Sequence, residues 1–138
     1  MSVLVRAFKK SDLKEIDPIE SLASENMTDE FAQAIEDSSL AVTGVRDGKV
    51  VGCGGVHPIN EFQGEIWLRL DKDCLNHKID TLRWIKCGMK IIEETYPFQQ
   101  LDAMVQCCLE SSIKMLEWMG FVRIKEEDDW IVFQKDLA

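Results

Sequence analysis

The chain is expected to form an α/β fold, a mixed and strongly twisted sheet of about six or seven strands with helices on both faces. Three stretches carry that expectation. Residues 65–70 (EIWLRL) form a short apolar run suited to a strand, residues 71–78 are polar, and from Ile79 onward apolar residues recur at helical spacing. Ile79, Leu82, Ile85 and Met89 share a face that Trp84, Ile91 and Ile92 widen. The apolar run 101–107 (LDAMVQC) follows that helix, and a strand reached through a helix lies parallel to the one before it. Upstream, residues 40–45 and 49–53 flank Arg46-Asp47-Gly48, where Asp-Gly signals an antiparallel hairpin.

The remaining elements follow in order. Residues 3–7 (VLVRA) read as an opening strand, and Ser11 or Asp12 is placed to cap a short helix from Leu13 that Pro18 limits. A second helix is expected from Thr28 to about Ser38, with Asp29 and Glu30 at its positive end and Phe31, Ala34 and Ile35 on one face. The strand opened by residues 49–53 continues to Pro58, and its three glycines in four positions (Gly52, Gly54, Gly55) imply a bulge or a close backbone approach. Pro97 ends the long helix near Tyr96. Ser111 or Ser112 caps a short helix with Ile113, Leu116 and Met119 on one face, and Gly120 ends it in the left-handed conformation. Residues 121–124 and 130–133 close the chain as a hairpin around an acidic turn over 125–129.

Composition bounds the function. The 138 residues fit one domain, 1–138. No apolar run approaches the ~20 residues that cross a bilayer, and the N-terminus lacks a secretory signal, so a soluble protein is expected. A net charge of −9 with no basic run beyond Lys9-Lys10 repels nucleic acid. Five cysteines, odd in number and without spaced pairs, fit a reducing cytoplasm and neither a disulfide framework nor a metal site. Trp67, Trp84, Trp118 and Trp130, together with Met104, Met115 and Met119, read as core or half-buried packing residues.

A strand feeding a helix aims the first helical N–H groups at the strand's carboxyl end, where an anion can sit. Here that junction is residues 70–79, with Asn76, His77 and Lys78 offering N–H groups or charge. The bland alternative is an ordinary βα connection capped by Asn76 or Asp80.

The order of elements, and the segment 112–121 (SIKMLEWMGF) in which a short helix ends in Gly-Phe before a strand, resemble the GNAT N-acetyltransferase superfamily. More narrowly, the Trp-containing strand, the glycine-poor loop, the long helix and the Ile113-x-x-Leu116-x-x-x-Gly120 ending resemble the small GNAT-like internal virion proteins of short-tailed bacteriophages. The resemblance implies an acetyl-CoA site in which the backbone of Leu68 and Leu70 meets the pantetheine arm and the loop Cys74, Leu75, Asn76, His77, Lys78 and Ile79 meets the pyrophosphate. It also implies Glu65 as the base that takes the amine proton; His57, near the end of the preceding strand, is a second candidate because imidazole readily accepts a proton.

Two departures from the family's pattern stand out. With Leu82 at the family's helix leucine, Cys74, Leu75, His77 and Ile79 occupy the Arg/Gln and glycine or alanine positions, and a Cβ at each crowds a phosphate. Leu116 stands where many members place the tyrosine that protonates the departing thiolate. The expectation is a phage- or prophage-encoded, cytoplasmic or virion-packaged protein with an eroded acetyl-CoA site, acting through a protein partner. The alternative is an active acetyl-CoA-dependent N-acetyltransferase acting on a primary amine.

Overall fold

The computed structural model describes residues 3–16, 29–38, 40–108 and 110–137. Its framework is one seven-stranded sheet built from β1 (Leu4–Ala7), β2 (Ala41–Arg46), β3 (Lys49–Pro58), β4 (Gln63–Leu70), β5 (Gln100–Gln106), β6 (Val122–Glu127) and β7 (Trp130–Asp136). The spatial order is β1-β2-β3-β4-β5-β7-β6, and every neighbouring pair is antiparallel except the parallel β4–β5. Among the described residues there are three α-helices, α1 (Asp29–Ser38), α2 (Lys78–Thr95) and α3 (Glu110–Trp118), and 3-10 helices at Lys10–Glu15 after β1 and Lys72–Asn76 after β4.

Helices cover both faces, as the apolar pattern requires. On one face Ala32 and Ile35 of α1, with Phe8 and Ile16, pack on Ala41, Cys53 and the half-buried Trp67. On the other, Ile92 of α2 and Ile113 and Leu116 of α3 pack on Val56, Leu101, Ala103, Val105, Ile131 and Phe133. Trp84 and Ile85 of α2 lie with Val51, Leu70 and Cys74.

Local chemistry sets the turns. Asp47 and Gly48 take φ of 52° and 79° in the β2–β3 turn, and Gly120 takes φ of 95° after α3, as Asp-Gly and a terminal glycine dictate. The glycines of β3 serve a close approach: a Cβ at Gly52 would meet the Trp84 ring at 2.6 Å. A register shift accompanies them between Gly44 and Val45.

Several expectations are corrected. The segment after β1 is a 3-10 helix in which Asp12 turns inward rather than capping an α-helix; Pro18 and Thr28 lie outside the described residues. The buried stripe of α2 is Thr81, Trp84, Ile85, Gly88 and Ile92, so Ile79 and Ile91 face solvent. Ser112 is buried within α3, not at its cap. The closing hairpin is longer and its turn tighter, with β6 reaching Glu127 and Asp128 at φ 52°. Trp118, Trp130 and Met104 are exposed; Lys86 Nζ lies 5.1 Å from the Trp118 ring centroid, a cation–π contact at the surface.

Burial divides the thiols. Cys53 is fully buried, and desolvation pushes its thiol far above the usual cysteine range, while Cys87 and Cys108 are exposed. Iodoacetamide on the native protein is expected to label Cys87 and Cys108 and spare Cys53, as read by peptide mass spectrometry. Labelling of Cys53 at the rate of Cys87 would contradict the packing.

Candidate functional site

The parallel pair β4–β5 is bonded only at Gln63–Gln100, Gly64–Leu101 and Glu65–Asp102. Beyond that point β4 runs on through Leu70 beside β3, while β5 runs on through Gln106 beside β7. The two strands therefore part into a wedge toward their carboxyl ends. On the β5 side, the backbone from Ile66 to Leu70 has no ladder partner. Leu68 and Leu70, expected to line this wedge, belong to its β4 wall; their side chains pack into the cluster with Trp84.

At the wedge's open end the chain winds into the 3-10 helix and then α2. Asp71 begins this turn: its carboxylate accepts the Asp73 N–H at 3.0 Å and Lys49 Nζ at 3.4 Å. Its carbonyl accepts the Cys74 N–H at 3.0 Å, and the Cys74 carbonyl accepts the His77 N–H at 3.1 Å. Cys74 is buried, its thiol donates to the Val51 carbonyl at 3.2 Å, and desolvation raises its pKa. Asn76, His77 and Lys78 are exposed, as are the apolar side chains of Leu75 (54%) and Ile79 (69%). His77 is the N-cap of α2 and makes no side-chain cap bond, so neither Asn76 nor Asp80 caps the helix as the bland alternative required. The first N–H groups of α2 consequently lack intrahelical acceptors.

Glu65 and His57 are direct cross-strand partners in β3–β4, so the two candidate bases share one face. Glu65 is half-buried and makes no side-chain hydrogen bond among the described residues; His57 is exposed. Glu65 is also in register with Asp102 across the last bonded step of β4–β5. Asp102 was not foreseen. Its two carboxylate oxygens accept Gln63 Nε2 at 2.6 Å and Gln100 Nε2 at 3.0 Å, which fixes it at the apex of the wedge. The one signal for it was the alternation in Gln100-Leu-Asp, polar residues flanking a buried leucine.

A donor for a departing thiolate is harder to find. Leu116 is buried in the core. The chain's single tyrosine, Tyr96, follows the carboxyl end of α2, about 27 Å along the helix from its amino end at the wedge's open mouth, and joins the cluster of Ile66, Phe98 and Leu101. No group of histidine, cysteine or carboxylate side chains suited to a metal ion occurs among the described residues, and no helix there is long and apolar enough to cross a membrane.

The fold is that of the GNAT acetyltransferases. The chain superposes on Ard1 from Thermoplasma volcanium with a TM-score of 0.80 at 12% identity, covering 100% of this chain and 99% of that one. It superposes on the ribosomal-protein-S18-alanine N-acetyltransferase from Escherichia coli with a TM-score of 0.77 at 11% identity, covering 99% and 94%. A GNAT-family acetyltransferase from Streptococcus pneumoniae gives 0.75 at 13% identity, covering 98% and 99%. No protein-family model and no curated protein matches the sequence.

Proposed function

We propose that this chain is a GNAT-fold protein whose acetyl-CoA grip has been lost and which works through contact with a protein partner. The observation that carries the reading is the βα connection. Where acetyltransferases of this fold present bare backbone to a pyrophosphate, this chain has a closed 3-10 turn with Cys74 inserted into the core and Leu75 and Ile79 projecting. Each of those positions bears a Cβ, which restricts the backbone and obstructs a phosphate. The residues present thus do not fit the coenzyme's diphosphate in the usual way, and Leu116, with Tyr96 at the opposite end of α2, leaves the helix mouth without a phenolic acid for the thiolate. The exposed Leu75 and Ile79 at the mouth suit an apolar protein contact better than a charged cofactor. The likeness of the loop and of the Ile113 to Gly120 segment to phage internal virion proteins supports a phage or prophage origin, with the protein in the host cytoplasm or packaged in the virion.

Calorimetry with acetyl-CoA tests it: the expected trace shows no saturable heat, and micromolar binding would overturn the reading.

One observation favours a second reading, an active N-acetyltransferase. The wedge between β4 and β5 is open, and Glu65 stands at its apex across from His57 in the ladder, with no side-chain hydrogen bond among the described residues. In that reading Glu65 removes the proton of a primary amine, and the surplus of carboxylates attracts a cationic acceptor. The coenzyme when bound would supply the acetyl group. Thiol release across a panel of amines, abolished in Glu65→Gln, is the result this reading requires.

A further inference from the structure

Between the β2–β3 turn and the start of α2 lies a cavity of about 430 Å³ lined by Arg46, Asp47, Lys49, Asp73 and His77. Its lining includes neither Glu65 nor any residue of the bonded step of β4–β5, although Asp73 and His77 belong to the βα connection on which the proposed function rests. Arg46, the last residue of β2, is 6% exposed. Its Nη1 donates to Asp73 Oδ2 at 3.0 Å, but Nε and Nη2 are buried with no acceptor. Those two atoms form the side-on edge of the guanidinium, the fork that takes two oxygens of a carboxylate or phosphate at once. A buried cationic fork without an acceptor is strongly unfavourable, so this edge calls for an oxyanion.

The surroundings agree with that demand. Asp73 is engaged by Arg46, and Lys49 Nζ, 58% exposed, reaches Asp71 at only 3.4 Å, a long bond that a better acceptor can displace. His77 Nε2 is 4.0 Å from Asp73 Oδ1, and His77 is the cap residue of α2, whose first N–H groups carry the positive end of the helix dipole. Asp47, Asp71 and Asp73 offset the charges of Arg46 and Lys49, so the unmet demand is geometric, the Nε–Nη2 edge of Arg46 that has no acceptor. We propose that Arg46, Lys49 and His77 form a binding site for the phosphoryl group of a small metabolite, gripped by side chains from the β2–β3 hairpin in place of a glycine-rich loop.

The test titrates inorganic phosphate into the full-length protein at constant ionic strength and follows the Arg46 Nε–H and the His77 backbone amide by nitrogen-15 NMR. A saturable shift of both signals is expected. Arg46→Gln is expected to weaken binding by about tenfold or more, which corresponds to about 1.4 kcal/mol. Because Arg46 is buried and its variant can fail to fold, Lys49→Gln and His77→Ala at exposed positions are measured too; each should weaken binding severalfold, while Lys90→Gln on the outer face of α2 should not. Absence of a saturable shift, or equal loss in Lys90→Gln, overturns the site. Acetate binding as tightly as phosphate overturns the phosphoryl assignment. Acetyl-CoA shifting the same two signals would sustain the site while refuting a lost coenzyme grip, whereas silence from phosphate would refute the site and leave that reading intact.

Discussion

Replacing Gly55 by alanine is expected to destabilise the protein by about 3 kcal/mol or more, at the upper end of what overpacking a close-fitting site costs. A Cβ built there falls on the Leu40 carbonyl oxygen and lies 2.8 Å from Ala41 Cα and Cβ. Most of what it meets is main chain, which no rotamer change can move aside. That main chain is also committed elsewhere: the Leu40 carbonyl accepts the Val56 N–H at 3.0 Å, and the Ala41 carbonyl accepts the Phe8 N–H at 3.3 Å. Making room for one methyl therefore loosens β2 from β3 and the segment after β1 from β2. For a chain of this size the loss corresponds to a fall in melting temperature of about 10 °C. Thermal and urea unfolding of Gly55→Ala measure it, with Gly48→Ala as the control. An added Cβ at Gly48 meets nothing within 4 Å, and only its φ of 79° resists the change, at about 1 kcal/mol. A Gly55→Ala protein within about 0.5 kcal/mol of the parent would show that the strands do not approach as described.

The sequence exposed this crowding only as three glycines within four residues; it did not say what presses on them. The same division runs through the molecule. Asp47-Gly48 and Gly120 were legible because their demand is local, a positive φ that few residues meet. Strand, helix, strand from β4 to β5 was legible because a buried parallel pair needs apolar runs on both sides of a helix. The exposed ends were not. Every residue of β6 is exposed, so no alternation marks its extension to Glu127, and its pairing with β7 alone makes it a strand. In α2, apolar spacing selected Ile79, yet the sheet takes Thr81 and Gly88, because small residues admit closer contact than the pattern of large ones reveals. At the candidate site the departures from a phosphate loop were visible residue by residue. The Gln63–Asp102–Gln100 clamp and the burial of Arg46 were not, since both arise from registers and turns that join distant segments.

Asp12 is the second position where one substitution should be severe, and here acid and mutation act on the same bonds. The residue is 1% exposed, and its carboxylate accepts Arg6 Nη1 at 2.9 Å, Arg6 Nη2 at 2.8 Å, the Lys9 N–H at 2.9 Å and the Thr43 hydroxyl at 2.7 Å. Burial by itself would raise its pKa, but the hydrogen bonds from Arg6, Lys9 and Thr43 outweigh burial and hold it below the ordinary 3.8. The unfolded chain thus binds this proton more readily than the native one. The carboxylate's contribution is complete above the unfolded value and is lost as pH falls through the lower native value. Asp12→Ala strands the buried Thr43 hydroxyl and the Lys9 N–H, while Arg6, 39% exposed, recovers water, so the expected loss is about 3 kcal/mol, the lower end for a broken buried ion pair. That is a large share of the roughly 5–15 kcal/mol that holds a domain together. Urea midpoints as a function of pH should show a gap between parent and variant that is constant from about pH 8 to about pH 5 and narrows below about pH 4, where Asp12 of the unfolded parent takes up a proton that the native carboxylate still refuses. An unchanged gap in strong acid would mean that Asp12 acts through its shape rather than its charge, and the three segments joined through Arg6, Lys9 and Thr43 would then owe their union to packing alone.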